Sequence, residues 1–158
     1  MQGIDRYYRE SRCSCPEHNL ADGTFFEKPD KLLVRQIKRV FNRKSVKGYV
    51  DRDVWQYNYD KLVEGAKKGL RLGGIQFNTP DWAFLQNIRY NIGVFTAFKN
   101  HTEVNMLASL LTDENGMRRE WRDFRDRALK VSREYNTNYL KTEYNRAVRS
   151  GRMARQWQ

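Results

Sequence analysis

The sequence predicts a mainly α-helical single domain of about five helices behind an irregular N-terminal arm. Three observations point there. Apolar residues recur at steps of three and four over most of the chain after residue 30, nothing alternates with period two long enough for a strand, and proline and glycine fall where helices start and stop. Residues 1–30 form the arm and 31–158 the helical domain.

The arm contains Cys13-Ser14-Cys15-Pro16 and an Ala21-Asp22-Gly23 turn signal, with no sustained period. The first helix follows Pro29. Leu33, Ile37, Val40 and Phe41 share one face, Lys31, Arg35, Lys38 and Asn42 another, and Asp30 stands at the N-cap position. Residues 45–50 break the pattern. A second helix is expected after Asp53, with Trp55, Tyr59, Leu62, Ala66 and Leu70 on its stripe and Gly73-Gly74 as its stop. The glycine-rich, basic stretch from Gly65 to Gly74 lacks the Gly-Lys-Ser/Thr of a phosphate loop and reads as a helix terminus.

Thr79-Pro80-Asp81 supplies a capping hydroxyl, a proline for the first helical position and an acid for the positive end of the dipole. The helix it opens has Leu85, Ile88, Ile92 and Phe95 as its apolar face, widened by Phe84 and Phe98. The segment from Val104 to Leu111 continues this helix or folds back from it, and Asn115-Gly116 is a turn. A fourth stripe holds Trp121, Phe124, Ala128, Val131 and Tyr135. A fifth holds Leu140, Tyr144, Ala147, Val148, Gly151 and Ala154.

Composition limits the function classes. The 158 residues hold 30 Lys and Arg against 19 Asp and Glu, a net charge of +11, so a polyanion is the first partner to consider. With 13% aromatic residues the chain is too rich to remain unfolded. No run reaches the roughly 18 apolar residues of a membrane span, and the start lacks the charged-then-apolar pattern of a secretory signal. Two cysteines cannot build a disulfide framework, so a soluble protein of a reducing compartment is expected.

Signals for chemistry are generic. Cys13, Cys15 and His18 could ligate zinc, but a closed site needs four ligands and His101 is the only other histidine. His18 with Glu17, and His101 with Glu103, could be drawn as a base and its orienter, without any supporting motif. A nuclease would need an acidic metal cluster. Asp51 with Asp53, or Asp123 with Asp126, are the close pairs, and each reads better as helix-start or surface charge. No catalytic residue, cofactor or metal is assigned.

The basic charge is concentrated in two regions. From Arg118 to Glu134 arginines are interleaved with acids, the pattern of a salt-bridged solvated face. After Glu143 there are arginines at 146, 149, 152 and 155 and no acid. On a helical wheel of about 100° per residue, Arg146 and Arg149 fall opposite the apolar stripe and Arg152 on its flank. Arg146, Arg149, Arg152 and Arg155, with Lys31, Arg35 and Lys38 on the first helix, are the candidate contacts to DNA or an acidic partner. No recognition motif accompanies them, so duplex DNA would be met through its phosphates.

The same C-terminal stretch has a more specific pattern. Tyr135-Asn136-x-Asn138-Tyr139-Leu140-Lys141-Thr142-Glu143-Tyr144-Asn145-x-Ala147, followed by Met153-Ala154-x-x-Trp157, resembles the hallmark helix of the MuF-like phage head-morphogenesis (minor capsid) proteins. The stretch from Asn87 to Lys99, the run Leu110 to Gly116 and Trp121-x-x-Phe124 are similar to the branch found in Mu-like prophages. The resemblance spans about residues 52–158, with the motifs in the same order and spacing.

It implies a non-enzymatic virion protein in the head interior, assembled in the bacterial cytoplasm, that associates with the portal and other head proteins, contacts packaged DNA and can self-associate. It marks Leu140, Thr142, Glu143, Tyr144 and Ala147 as hallmark positions. Leu140, Tyr144 and Ala147 suit a core. Glu143 is open between pairing with neighbours of Lys141 and capping a preceding segment. The family usually continues into a segment with a His, a Pro-rich turn and a Cys-Arg-Cys element, which this domain is expected to lack. A basic nucleic-acid-binding regulator without a capsid role is the alternative.

Overall fold

The computed structural model describes residues 29–71 and 80–156, and these are mainly α-helical with no strand. The helices are α1 (Asp30–Asn42), α2 (Arg52–Leu70), α3 (Pro80–Ser109), α4 (Trp121–Arg133) and α5 (Leu140–Gln156), with a π turn at Glu134–Tyr139 joining the last two. Cys13, Cys15, His18, Gly73, Gly74, Thr79 and Trp157 lie outside the described residues. Among the described residues no helix is long and apolar enough to cross a membrane.

α1 buries Leu33, Gln36, Ile37 and Val40. Its cap is Pro29, not Asp30: the Pro29 carbonyl accepts the first amides, those of Leu32 and Leu33, and Asp30 already lies in the first turn. There it favours the positive end of the helix and pairs with Arg133 at 2.9 Å.

α2 starts at Arg52, two residues before the start expected after Asp53. Asp51 is its cap, accepting from the amides of Asp53 and Val54. The fully buried Asp51 carboxylate also accepts from Arg39 and from the Tyr49 hydroxyl, each at 2.9 Å, while its own amide donates to Asn100 Oδ1 at 2.6 Å. One residue thus ties α1, the α1–α2 connection and α3 to the start of α2. α2 ends at Leu70 on Arg71, which adopts the left-handed conformation (φ 53°) that most often belongs to glycine.

α3 runs 30 residues, so Val104 to Ser109 continue it and do not fold back. The turn after it is built by Asp113, whose Oδ1 accepts from the amides of Asn115 and Met117, with Gly116 at φ 79°. α4, the π turn and α5 form one unbroken rod, since Arg133, Glu134 and Leu140 at the joins all keep right-handed helical angles. Seven of its buried positions, Phe124, Ala128, Ser132, Asn136, Leu140, Tyr144 and Val148, recur every four residues, with Tyr135, Glu143 and Gly151 buried beside them. Steps of four drift by about 40° each on a regular α-helix. The wider π turn takes up part of that drift and keeps the stripe inward.

Two apolar clusters result. Ile37, Val40, Val104, Leu107, Phe124 and Ala128 join α1, the end of α3 and α4. Leu62, Leu140, Tyr144 and Val148 join α2 and α5. At that second contact the two backbones nearly touch. A Cβ added at Gly69 would lie 2.2 Å from the Val148 carbonyl oxygen, and one added at Gly151 would lie 2.7 Å from that of Ala66. α2 does end within the glycine-rich stretch, at Leu70, and Gly65 and Gly69 just before that end let it meet α5 backbone to backbone.

Gly69→Ala is expected to destabilise the protein by about 1–3 kcal/mol, although alanine raises helix propensity by about 1 kcal/mol. Gly93→Ala is the control, because its Cβ would meet nothing nearer than 3.7 Å. Urea unfolding of both variants checks this. A Gly69→Ala protein as stable as the Gly93→Ala protein would show that the close approach is not required.

Candidate nucleic-acid interface

The arginines of α5 meet a second source of positive charge at the end of the α2–α5 seam. Because Gly69 and Gly151 let the helices touch, the last turn of α2 lies against the last turns of α5. A cleft of about 370 Å³ opens there, lined by Gly69, Arg71, Arg152, Arg155 and Gln156. Among the described residues its lining holds three arginines and no carboxylate. Arg149 is exposed one turn back on α5, and Lys67 is exposed on the last turn of α2, where cations favour the negative end of the helix. Guanidinium groups on separate elements around one opening suit bidentate contact with phosphate oxygens.

The other proposed contacts are placed differently. Arg146 is half-buried and lines a separate pocket of about 250 Å³ beside Glu143, with Asn91, Ile92 and Phe95 of α3. It is not on a free face opposite the apolar stripe, because it shares that pocket with residues of α3. Lys31, Arg35 and Lys38 are exposed, but on α1, which packs against α4, α2 and α3, whereas α5 lies along α2. Arginines on and just before α4 form the expected salt-bridged face: Asp123 accepts from Arg119 and Arg127, and Asp126 from Arg125. Arg71 is absent from the contacts expected from sequence, because its place in the cleft depends on where α2 ends and what crosses it.

The hallmark residues lie mostly inside. Leu140 and Tyr144 are buried, Ala147 is half-buried, and the Thr142 hydroxyl bonds back to the Asn138 carbonyl at 3.2 Å. Glu143 is buried. It points into the protein, where its Oε2 accepts from Lys99 Nζ at 2.5 Å, with side-chain exposures of 3% and 4%. Lys99 also donates to Asn58 Oδ1 at 3.1 Å, and Asn58 donates to Asn136 Oδ1 at 2.7 Å. Asn136, Gln36 and Ser132 donate to Oε1 of Glu103, and Asn100 donates to Oε2. This buried polar network lies along α3 between the two apolar clusters.

His101 and Glu103 are not a base and its orienter. The ring of His101 contacts the Tyr49 carbonyl, while Glu103 is fully buried in the network. Among the described residues no group of three or more His, Cys, Asp or Glu is placed to hold a metal ion.

Burial dominates the electrostatics of the network. It pushes the Glu143 carboxyl well above its ordinary range, opposed by the charge of Arg146. It lowers the Lys99 ammonium to about 7, opposed by the charge of Glu103. Glu103 is raised by burial against the hydrogen bond from Ser132, the charge of Lys99 and the bonds from Gln36 and Asn136. A carboxyl raised in the fold holds a proton that the unfolded chain has lost, so its contribution to stability falls as pH rises above the unfolded value. A lowered lysine acts in the opposite sense, favouring the fold as pH rises from about 7 towards its ordinary 10.5.

Glu143→Gln removes the falling contribution of that carboxyl. The variant is expected to gain on the native protein as pH rises above the ordinary carboxyl value of 4.5, by at most about 1.4 kcal/mol per pH unit. Unfolding midpoints across that range check it, and a variant that loses ground as pH rises would mean that the fold lowers the carboxyl. In comparisons with protein-family models, curated proteins and solved structures, the chain has no match.

Proposed function

We propose that this domain is a non-enzymatic minor component of a phage or prophage head that meets duplex DNA through its phosphates. The carrying observation is the cleft of Arg71, Arg152 and Arg155, with no carboxylate among its described lining residues and with Arg149 beside it on α5. The virion setting, with portal and other head proteins as partners, rests on the resemblance of the helix from Tyr135 to Ala147 and the segments before it. The net charge of +11 supports a polyanion in either a capsid or a regulatory setting.

The cleft suits backbone contact, not base reading. Its arginines stand at the junction of two helix ends, and neither helix projects a row of side chains into a groove as a recognition helix does. Affinity should therefore depend steeply on salt and little on sequence. Lys31, Arg35 and Lys38 on α1 are a second exposed basic group that longer DNA could reach.

Binding of duplex DNA by the full chain, measured from about 50 to about 300 mM salt, tests this reading. Arg149→Ala/Arg152→Ala/Arg155→Ala is expected to flatten the log–log salt slope by roughly 2 to 3, near 0.9 for each phosphate that is no longer neutralised. Arg125→Ala, whose side chain is paired with Asp126, should leave the slope unchanged. Absence of binding at the lowest salt, or a slope the triple change does not alter, would overturn the DNA assignment and turn the cleft towards an acidic protein.

A further inference from the structure

The middle of α3 has its polarity reversed. Towards the core it presents Thr96, Lys99, Asn100 and Glu103, all buried. Towards the outside it presents Tyr90, Val94 and Phe98, with relative exposures of 72%, 40% and 70%. These three recur one turn apart and form a continuous apolar ridge on one helix face. Buried polar groups and exposed large apolar ones are the informative exceptions to ordinary burial, and contiguous apolar surface of this kind marks interaction sites.

Beside the ridge lies a groove of about 710 Å³ between α2 and α3. Its floor is ordered before any partner arrives. The Trp55 indole stacks on Tyr59 with ring centroids 5.1 Å apart and donates to the Gly93 carbonyl at 3.0 Å. Arg89 Nε donates to the Tyr59 hydroxyl at 3.1 Å. Gly93 keeps the floor open by presenting no side chain. Rigid aromatic anchors in a preformed depression bind at low entropic cost, since little is immobilised on association.

Charge and spacing select the occupant. Among the described residues, the groups of formal charge lining the groove are Arg52 and Arg89, both cationic. A second copy of this +11 chain would bring like charges together there. A ridge at steps of four, about 6 Å apart along α3, is of the kind that packs into the grooves of another helix. Single-stranded nucleic acid could stack on aromatic rings, but Val50, Val94 and Ala97 make much of this surface aliphatic. We propose that the α2–α3 groove and the Tyr90–Val94–Phe98 ridge dock an amphipathic helix of a partner protein, with its apolar stripe on the groove and carboxylates towards Arg52 and Arg89.

The probe is a synthetic amphipathic helical peptide with Leu and Phe at i, i+3, i+4 and i+7 and Glu on both flanks, compared with its Lys-flanked twin. Calorimetry gives affinity with the full-length protein, and amide shift mapping gives the site. The Glu peptide is expected to bind at least about tenfold more tightly than the Lys peptide, with shifts centred on Trp55, Tyr90 and Gly93. Tyr90→Ser/Phe98→Ser should weaken it by about tenfold or more with an unchanged Tm, since both side chains are exposed. Arg52→Glu, also exposed, should narrow or invert the preference. Failure of the Glu peptide to bind, equal binding of both peptides, or shifts elsewhere would overturn the proposal. So would a dimer that Phe98→Ser dissociates, or tighter binding of oligo(dT) at the same residues. None of these outcomes bears on duplex binding at the Arg71–Arg152–Arg155 cleft, so the two readings fail separately.

Discussion

A buried carboxylate that no single helix can satisfy holds this fold in register. Glu103 on α3 accepts hydrogen bonds from Gln36 on α1, Asn100 on its own helix, Ser132 on α4 and Asn136 in the π turn. Asn58 on α2 bridges Asn136 and Lys99, and Lys99 reaches Glu143 on α5. Every helix described thus contributes a polar side chain to one buried chain of contacts. The apolar clusters on either side supply the bulk of the burial, but they tolerate sliding and repacking far better than a hydrogen-bonded carboxylate does. A shift of any helix by one residue would strand a buried donor or acceptor, at about 1–3 kcal/mol each.

The outer surfaces follow from that register. With α3 committed to presenting Lys99, Asn100 and Glu103 inward, its next face carries Tyr90, Val94 and Phe98 outward. The α4–α5 rod brings Asn136 to Glu103 and Glu143 to Lys99, and its π turn keeps the same stripe inward at both places. This phase also lays Gly151 on Ala66 and Gly69, the side of α5 on which the two backbones can touch. Arg152 and Arg155 are thereby brought beside Arg71. One set of internal contacts therefore positions both a cationic cleft and an apolar ridge.

Much of the helical architecture is legible in the sequence, because apolar stripes at steps of three and four report burial directly. The acid-free run of arginines after Glu143 is equally plain, and Arg149 and Arg152 are exposed as the helical wheel places them. The network is not legible. Lys99 and Glu103 are spaced by four, which on one helix reads as a solvated ion pair, and Glu143 sits among polar neighbours. The available signal is polar residues in phase with a stripe: Gln36 falls between Leu33 and Val40, and Asn136 lies on the four-residue series from Phe124 to Val148. The close approach at Gly65 and Gly69 is not legible either, because a glycine that admits a facing helix looks the same in sequence as one near the end of its own. The place of Arg71 and the reversed polarity of α3 depend on the partner helices and show only once those are in place.

Whether the Glu103 network holds the helices in register is tested most directly by equilibrium unfolding of Glu103→Leu in urea. Leucine is only slightly larger and removes the shared acceptor, leaving buried donors from Gln36, Asn100, Ser132 and Asn136 to be satisfied some other way. The expected result is a loss of about 3 kcal/mol or more, with a less cooperative transition. A leucine variant that matches the native protein in both midpoint and slope would contradict it, and would leave apolar packing as the source of the register.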